Sequence, residues 1–85
     1  MTTSFGKYIR KLRIEKGLTL TQLAAQINLD SANLSKIENG KRTFNENRLE
    51  KLSLALNVDL KTIKYEFYSD YIAQKIDDLE YLGKT

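Results

Sequence analysis

Gly17-Leu18-Thr19-Leu20-Thr21-Gln22-Leu23-Ala24 and, a little further on, Leu34-Ser35-Lys36-Ile37-Glu38-Asn39-Gly40-Lys41-Arg42 decide the fold of this 85-residue chain. Thr19 to Gln22 reads as a capping box, in which the Thr19 hydroxyl accepts from the third helical amide and Gln22 reaches back to the cap amide. A second helix therefore runs from about Leu20 to Ile27, with Leu23, Ala24 and Ile27 inward. Asn28 suits a left-handed position at its end. Asp30 follows two residues later and is a good N-cap for a third helix, from about Ser31 to Asn39. Two short helices joined by so few residues must turn sharply against each other.

Upstream, Phe5, Ile9 and Leu12 fall on one stripe of a first helix. Gly17 stops it, and Lys11, Arg13 and Lys16 lie favourably near its negative end. Downstream, Gly40 ends the third helix and Lys41 to Phe44 form a loop. Asn45 can cap a fourth helix from Glu46 to Leu56, with Leu49, Leu52 and Leu56 inward. Asp59 caps a fifth. From Leu60 onward Ile63, Phe67, Tyr71, Ile72, Ile76, Leu79 and Leu82 keep a helical spacing. Ser69-Asp70 either breaks that run or lies on its wet face. The expectation is an all-α chain of four compact helices and a long or split fifth.

Composition excludes several chemistries. There is no cysteine and no histidine, so no disulfide framework, zinc finger, thiol nucleophile or imidazole base is available. No metal or cofactor is expected. Glu46/Glu50 and Asp77/Asp78 read as solvated helix faces rather than a catalytic pair, and an enzyme is not expected. Met1-Thr2-Thr3-Ser4 lacks the pattern of a signal peptide. No apolar run approaches the ~20 residues of a membrane span. A cytoplasmic protein with no membrane partner is the expectation. Charge is uneven: residues 1–58 carry ten Lys/Arg and five acids, residues 59–85 four Lys and six acids. The net +3 is thus +5 in the first part and −2 in the tail, which points the first part at a polyanion.

The third helix shows how that polyanion is met. With Leu34 and Ile37 inward, Ala32, Lys36 and Asn39 point away from the core, flanked by Asn33 and Ser35. Ser31 sits at the exposed first turn. The face is small, polar and singly basic, and such a helix fits the major groove of DNA. Glu38 lies beside the inward stripe, where an acid needs a partner.

Residues 5–65, through the G-L-T start, the L-A pair, the capped third helix and the I-E-N-G-K-R finish, resemble the helix-turn-helix of the Cro/CI (Xre) regulator family. The resemblance implies a lambda-repressor-like five-helix DNA-binding domain over residues 1–66, with 67–85 as a helical extension. It implies base reading by Ser31, Ala32, Ser35 and Lys36, with Lys36 donating to guanine and Ala32 touching a thymine methyl. Phosphates fall to Thr21 or Gln22, Asn33, Asn39, Lys41 and Arg42. Many relatives have a phosphate-gripping Gln where this chain has Leu20, so that grip either shifts to Thr21 or Gln22 or is lost. In the family an Arg at position 13 pairs with the Glu of E-N-G, so Arg13 and Glu38 are expected to form a structural ion pair.

The aromatic, net acidic tail either covers the domain's own core or joins two copies. Pairing into a homodimer through Phe67, Tyr68, Tyr71, Ile72 and Ile76 is the expectation. The implied function is a dimeric regulator, a repressor, on an inverted-repeat operator of double-stranded DNA in the nucleoid. An antitoxin or a restriction–modification controller would use the same module, and Phe67 to Ala73 bears a faint likeness to regulators encoded beside DNA methyltransferases. A protein-interaction adaptor is the reading from another class, and it implies no salt-sensitive DNA binding.

Overall fold

The computed structural model describes residues 4–83, with side chains over 5–79; the expectation for Leu82 lies outside these side chains. Five α-helices follow one another: α1 (Ser4–Glu15), α2 (Leu20–Gln26), α3 (Ser31–Glu38), α4 (Leu49–Leu56) and α5 (Leu60–Gly83). Among the described residues there is no strand, and no helix is long and apolar enough to cross a membrane. The expected capping box is present, with Thr19 Oγ1 accepting from the Gln22 amide at 3.1 Å and Gln22 Oε1 accepting from the Thr19 amide at 2.8 Å. Asp30 caps α3 through the Asn33 amide at 2.7 Å.

The four compact helices end in one way. Gly17, Asn28, Gly40 and Asn57 each take a left-handed backbone, φ 72°, 59°, 75° and 54°. The next amide then returns to a carbonyl of the last turn: Leu18 to Arg13, Leu29 to Ala24, Lys41 to Lys36, Val58 to Ser53, all within 3.0 Å. In this motif the returning residue commonly packs an apolar side chain back on the helix. Leu18, Leu29 and Val58 do so against the core, whereas Lys41 is exposed.

The core is built from one stripe of every helix: Phe5 and Ile9; Leu23, Ala24 and Ile27; Leu34 and Ile37; Leu49, Leu52 and Leu56; Ile63 and Phe67. Phe44, from the loop before α4, joins them and meets Phe5 edge-on at 5.7 Å. Gly6 is buried where α1 crosses α3, and a β-carbon there would overlap the Ile37 carbonyl.

Two expectations change, for α4 and for Phe67, and one choice left open by the sequence is decided, for α5. The segment Glu46–Arg48 is a tight 3-10 turn, and α4 proper begins at Leu49. Asn45 caps that turn by accepting from the Asn47 amide at 2.9 Å. Ser69-Asp70 does not interrupt α5, which crosses the 66/67 boundary unbroken. Phe67, expected at an interface, is buried against Phe5 at 5.3 Å, and Tyr71 stacks on it at 6.5 Å. Phe67, one turn beyond Ile63, closes this end of the core, while Tyr71 beyond it stays about half exposed.

Candidate nucleic-acid interface

The exposed side of α3 carries Ala32 and Lys36, with Ser31 and Ser35 half-buried beside them. Leu34 and Ile37 anchor the opposite side, so the face is held by the core and, among the described residues, covered by nothing. Asn39 folds back, donating from Nδ2 to the Ser35 carbonyl at 2.9 Å and to its hydroxyl at 3.4 Å. Lys36 and Lys41 are exposed, and among the described residues neither is paired with an acid. Two unpaired cations on one edge leave a positive potential that water alone solvates, the condition under which a polyanion binds by releasing its counterions.

Asn33 does more than the sequence suggests: its Nδ2 donates to Asp30 at 3.1 Å and its Oδ1 accepts from Arg42 Nη1 at 2.7 Å. It is a bridge that sets Arg42 beside the first turn of α3, and it keeps its second Nδ2 hydrogen. Arg42 keeps its remaining N–H groups for an oxyanion. At α2, Thr21 is exposed, while Gln22 uses its oxygen in the cap and retains its Nε2 donors.

Arg48 carried no assignment from sequence beyond its charge. Its Nη1 donates to the Ile27 carbonyl at 3.0 Å, tying the 3-10 turn to the end of α2. Together with Asn33, Arg42, Thr43 and Asn45 it lines a polar depression beside α3. Only the distance between Ile27 and Arg48 along the chain hides this contact from sequence.

Behind the interface lies the Arg13–Glu38 pair. Nε meets Oε2 at 2.8 Å and Nη2 meets Oε1 at 3.0 Å, a two-pronged contact with side chains 12% and 3% exposed. Nη1 also donates to the Leu18 carbonyl at 2.9 Å. The hydrogen bonds to Glu38 hold the guanidinium charged and raise its pKa, against the opposing effect of burial. One side chain thus joins the end of α1, the entry to α2 and the end of α3, and sets the angle at which α3 is presented.

Two short helices around a tight turn, the second offering an uncovered polar and basic face, define a helix-turn-helix DNA-binding unit. The chain belongs to the helix-turn-helix family of the Cro/CI type, whose profile matches residues 9–63, and it is a DNA-binding transcription regulator, not an enzyme. It is similar to the control protein C.MunI of a Mycoplasma species, 45% identical over 67 residues, which span 78% of this chain and 85% of that protein. Its structure is similar to that of the restriction-modification controller protein C.AhdI from Aeromonas hydrophila, with a TM-score of 0.65, 31% identity, and 72% and 88% of the two chains covered. It is likewise similar to SinR, a master regulator for biofilm formation solved in complex with DNA, with a TM-score of 0.62, 35% identity, and 69% and 95% covered.

Proposed function

We propose that the protein acts as a homodimer in the cytoplasm, on the nucleoid, repressing transcription from an inverted-repeat operator. The observation that carries this reading is the uncovered α3 face with Lys36 at its centre and Lys41 and Arg42 at its edge. Ser31, Ala32, Ser35 and Lys36 read base edges. Thr21, the Gln22 amide nitrogen, Lys41 and Arg42 position the backbone. Repression follows from bulk, because a dimer seated over two half-sites excludes other proteins from the DNA between them.

A second reading narrows the first: the regulated genes are those of a restriction–modification system. The similarity to C.MunI over most of both chains and to the controller C.AhdI supports it. An operator selected from random DNA and then located beside a methyltransferase gene would decide for it.

The test is binding of the purified chain to selected DNA at several salt concentrations. Half-sites ~10 bp apart and a log–log slope of about −5 to −7 are expected for roughly 6–8 neutralised phosphates per dimer. Lys36→Ala should relax preference at one base position per half-site by ~1–3 kcal/mol, while Lys41→Ala weakens all sequences and flattens the slope by about one unit per protomer. A flat salt response would return the protein to the adaptor reading.

A further inference from the structure

The polar depression beside α3 is lined chiefly by hydrogen-bond donors. Its volume is about 230 Å³, and Leu29 and Ile37 give it an apolar base. Arg42 and Arg48 both line it, and each is tethered through one nitrogen. Arg42 Nη1 donates to the Asn33 amide oxygen at 2.7 Å, and Arg48 Nη1 donates to the Ile27 carbonyl at 3.0 Å. Each guanidinium keeps its other N–H groups. Among the described residues neither arginine is paired with an acid.

The lining offers little in the way of acceptors. Asn33 Oδ1 is taken by Arg42, and Asn45 Oδ1 by the Asn47 amide at 2.9 Å. Both side-chain amides keep N–H groups to give, and Thr43 adds a hydroxyl. Asp30, the acid bonded to this lining, spends Oδ1 on the Asn33 main-chain amide and Oδ2 on its side chain. Donors and positive charge with the amide oxygens spent select a ligand that only accepts, an oxyanion. A carboxylate fills one arginine fork, whereas a phosphate, with oxygens pointing in three dimensions, can meet two. The tethers are formed before anything binds, so part of the ordering cost of the two long side chains is already met.

We infer that this depression is a preformed phosphate site, in which Arg48 joins Arg42 as a ligand while Asn33 and the Ile27 carbonyl hold the two guanidinium groups in place. The phosphate comes either from the DNA backbone beside the groove that α3 enters or from a small phosphate ester, which would then compete with DNA for the protein. The first source rests on the reading of α3 given above; the second does not.

The chain has four arginines, so their Nε–H signals in an isotope-labelled sample can be followed singly. The titrants are inorganic phosphate at constant ionic strength and the selected DNA. With phosphate, Arg42 and Arg48 should move together while Arg10, exposed on α1 and outside the depression, stays in place. Movement with DNA alone assigns the site to the backbone, and movement with phosphate alone assigns it to free esters. Movement with both means that the two compete for it. An Arg48 signal indifferent to both overturns the site. Arg48→Gln should weaken binding to every DNA sequence by about 10-fold and flatten the log–log salt slope by about one unit per protomer. Arg48→Lys keeps the charge and a donor for the Ile27 carbonyl, so it should keep the slope and lose less affinity. An Arg48→Gln chain of lowered stability with the wild-type slope, and no movement of Arg48 with phosphate, would reduce Arg48 to a strut between the 3-10 turn and α2. A flat salt response of the wild-type chain would instead overturn the reading of α3, and joint movement of Arg42 and Arg48 with inorganic phosphate would still uphold the site.

Discussion

Arg13 leaves two carbonyl-bearing neighbours dependent on it: the Glu38 carboxylate, 3% exposed, and the Leu18 main-chain oxygen. Removing one partner of a buried pair strands the other, so Arg13→Ala should cost ~3–5 kcal/mol. Glu38→Ala should cost less, because the freed guanidinium can swing toward water. A double-mutant cycle in urea should show the pair losing less together than the sum of the two single losses. Additive, near-zero effects with a selective loss of DNA affinity would place Arg13 on the DNA surface instead. This pair was legible because Glu38 falls beside the inward stripe of its helix and the Cro/CI resemblance places an arginine opposite it. The bridge from Asp30 through Asn33 to Arg42 was not legible, since it depends on how the loop after Gly40 folds back. Lys41 stands between these cases: a lysine where the neighbouring helix ends have Leu18, Leu29 and Val58 is visible once the four ends are aligned.

At the scale of elements, the contact that limits the approach of α1 to α3 is Gly6 against the Ile37 carbonyl. Alanine within a helix ordinarily gains ~1 kcal/mol over glycine. Here the added methyl meets main chain that cannot rotate away, so Gly6→Ala should destabilise by roughly 1–3 kcal/mol, as overpacking does. Thermal melts of the variant check this; a raised midpoint would mean that the two helices separate freely. The helices themselves were legible from their caps and left-handed ends, which are local chemistry. Gly6 and Phe44 were not, because both are defined by a crossing partner distant in sequence. The shortfall in α5 has another cause. Ile63 and Phe67 are buried on one side of it, and Tyr65, Tyr68, Ile72 and Ile76 form an exposed outer stripe on the other. Two apolar stripes on opposite sides leave no preferred face, so periodicity marked a helix without revealing which aromatics turn inward.

For the molecule as a whole, the absence of histidine removes the side chain that ordinarily titrates near neutrality. Besides Arg13, the groups whose pKa rises on folding are phenols. Tyr8 is raised from 10.0 by burial and by the nearby Glu66 charge. Tyr68 is raised from 10.0 by its hydrogen bond to Glu46, with burial and the Glu46 charge adding to it. A raised pKa contributes stability that is complete below the unfolded value and lost as pH climbs through the folded one. Melting temperature should therefore lose nothing to these groups through neutral pH and decline above about pH 10, and the double Tyr8→Phe, Tyr68→Phe variant should show a shallower decline. An equal slope in that variant would mean that these two phenols do not carry the alkaline loss. The molecule measures 45 × 26 × 21 Å, and α5 runs unbroken from Leu60 to Gly83. Along such a rod, the direction of the outer stripe relative to the core is set by counting. One residue inserted between Phe67 and Tyr68 turns everything beyond it by about 100°. Insertions of seven or eleven residues return it to within about 20°. Only insertions in such steps keep the two sides of the rod in register, the reverse of what a surface loop permits.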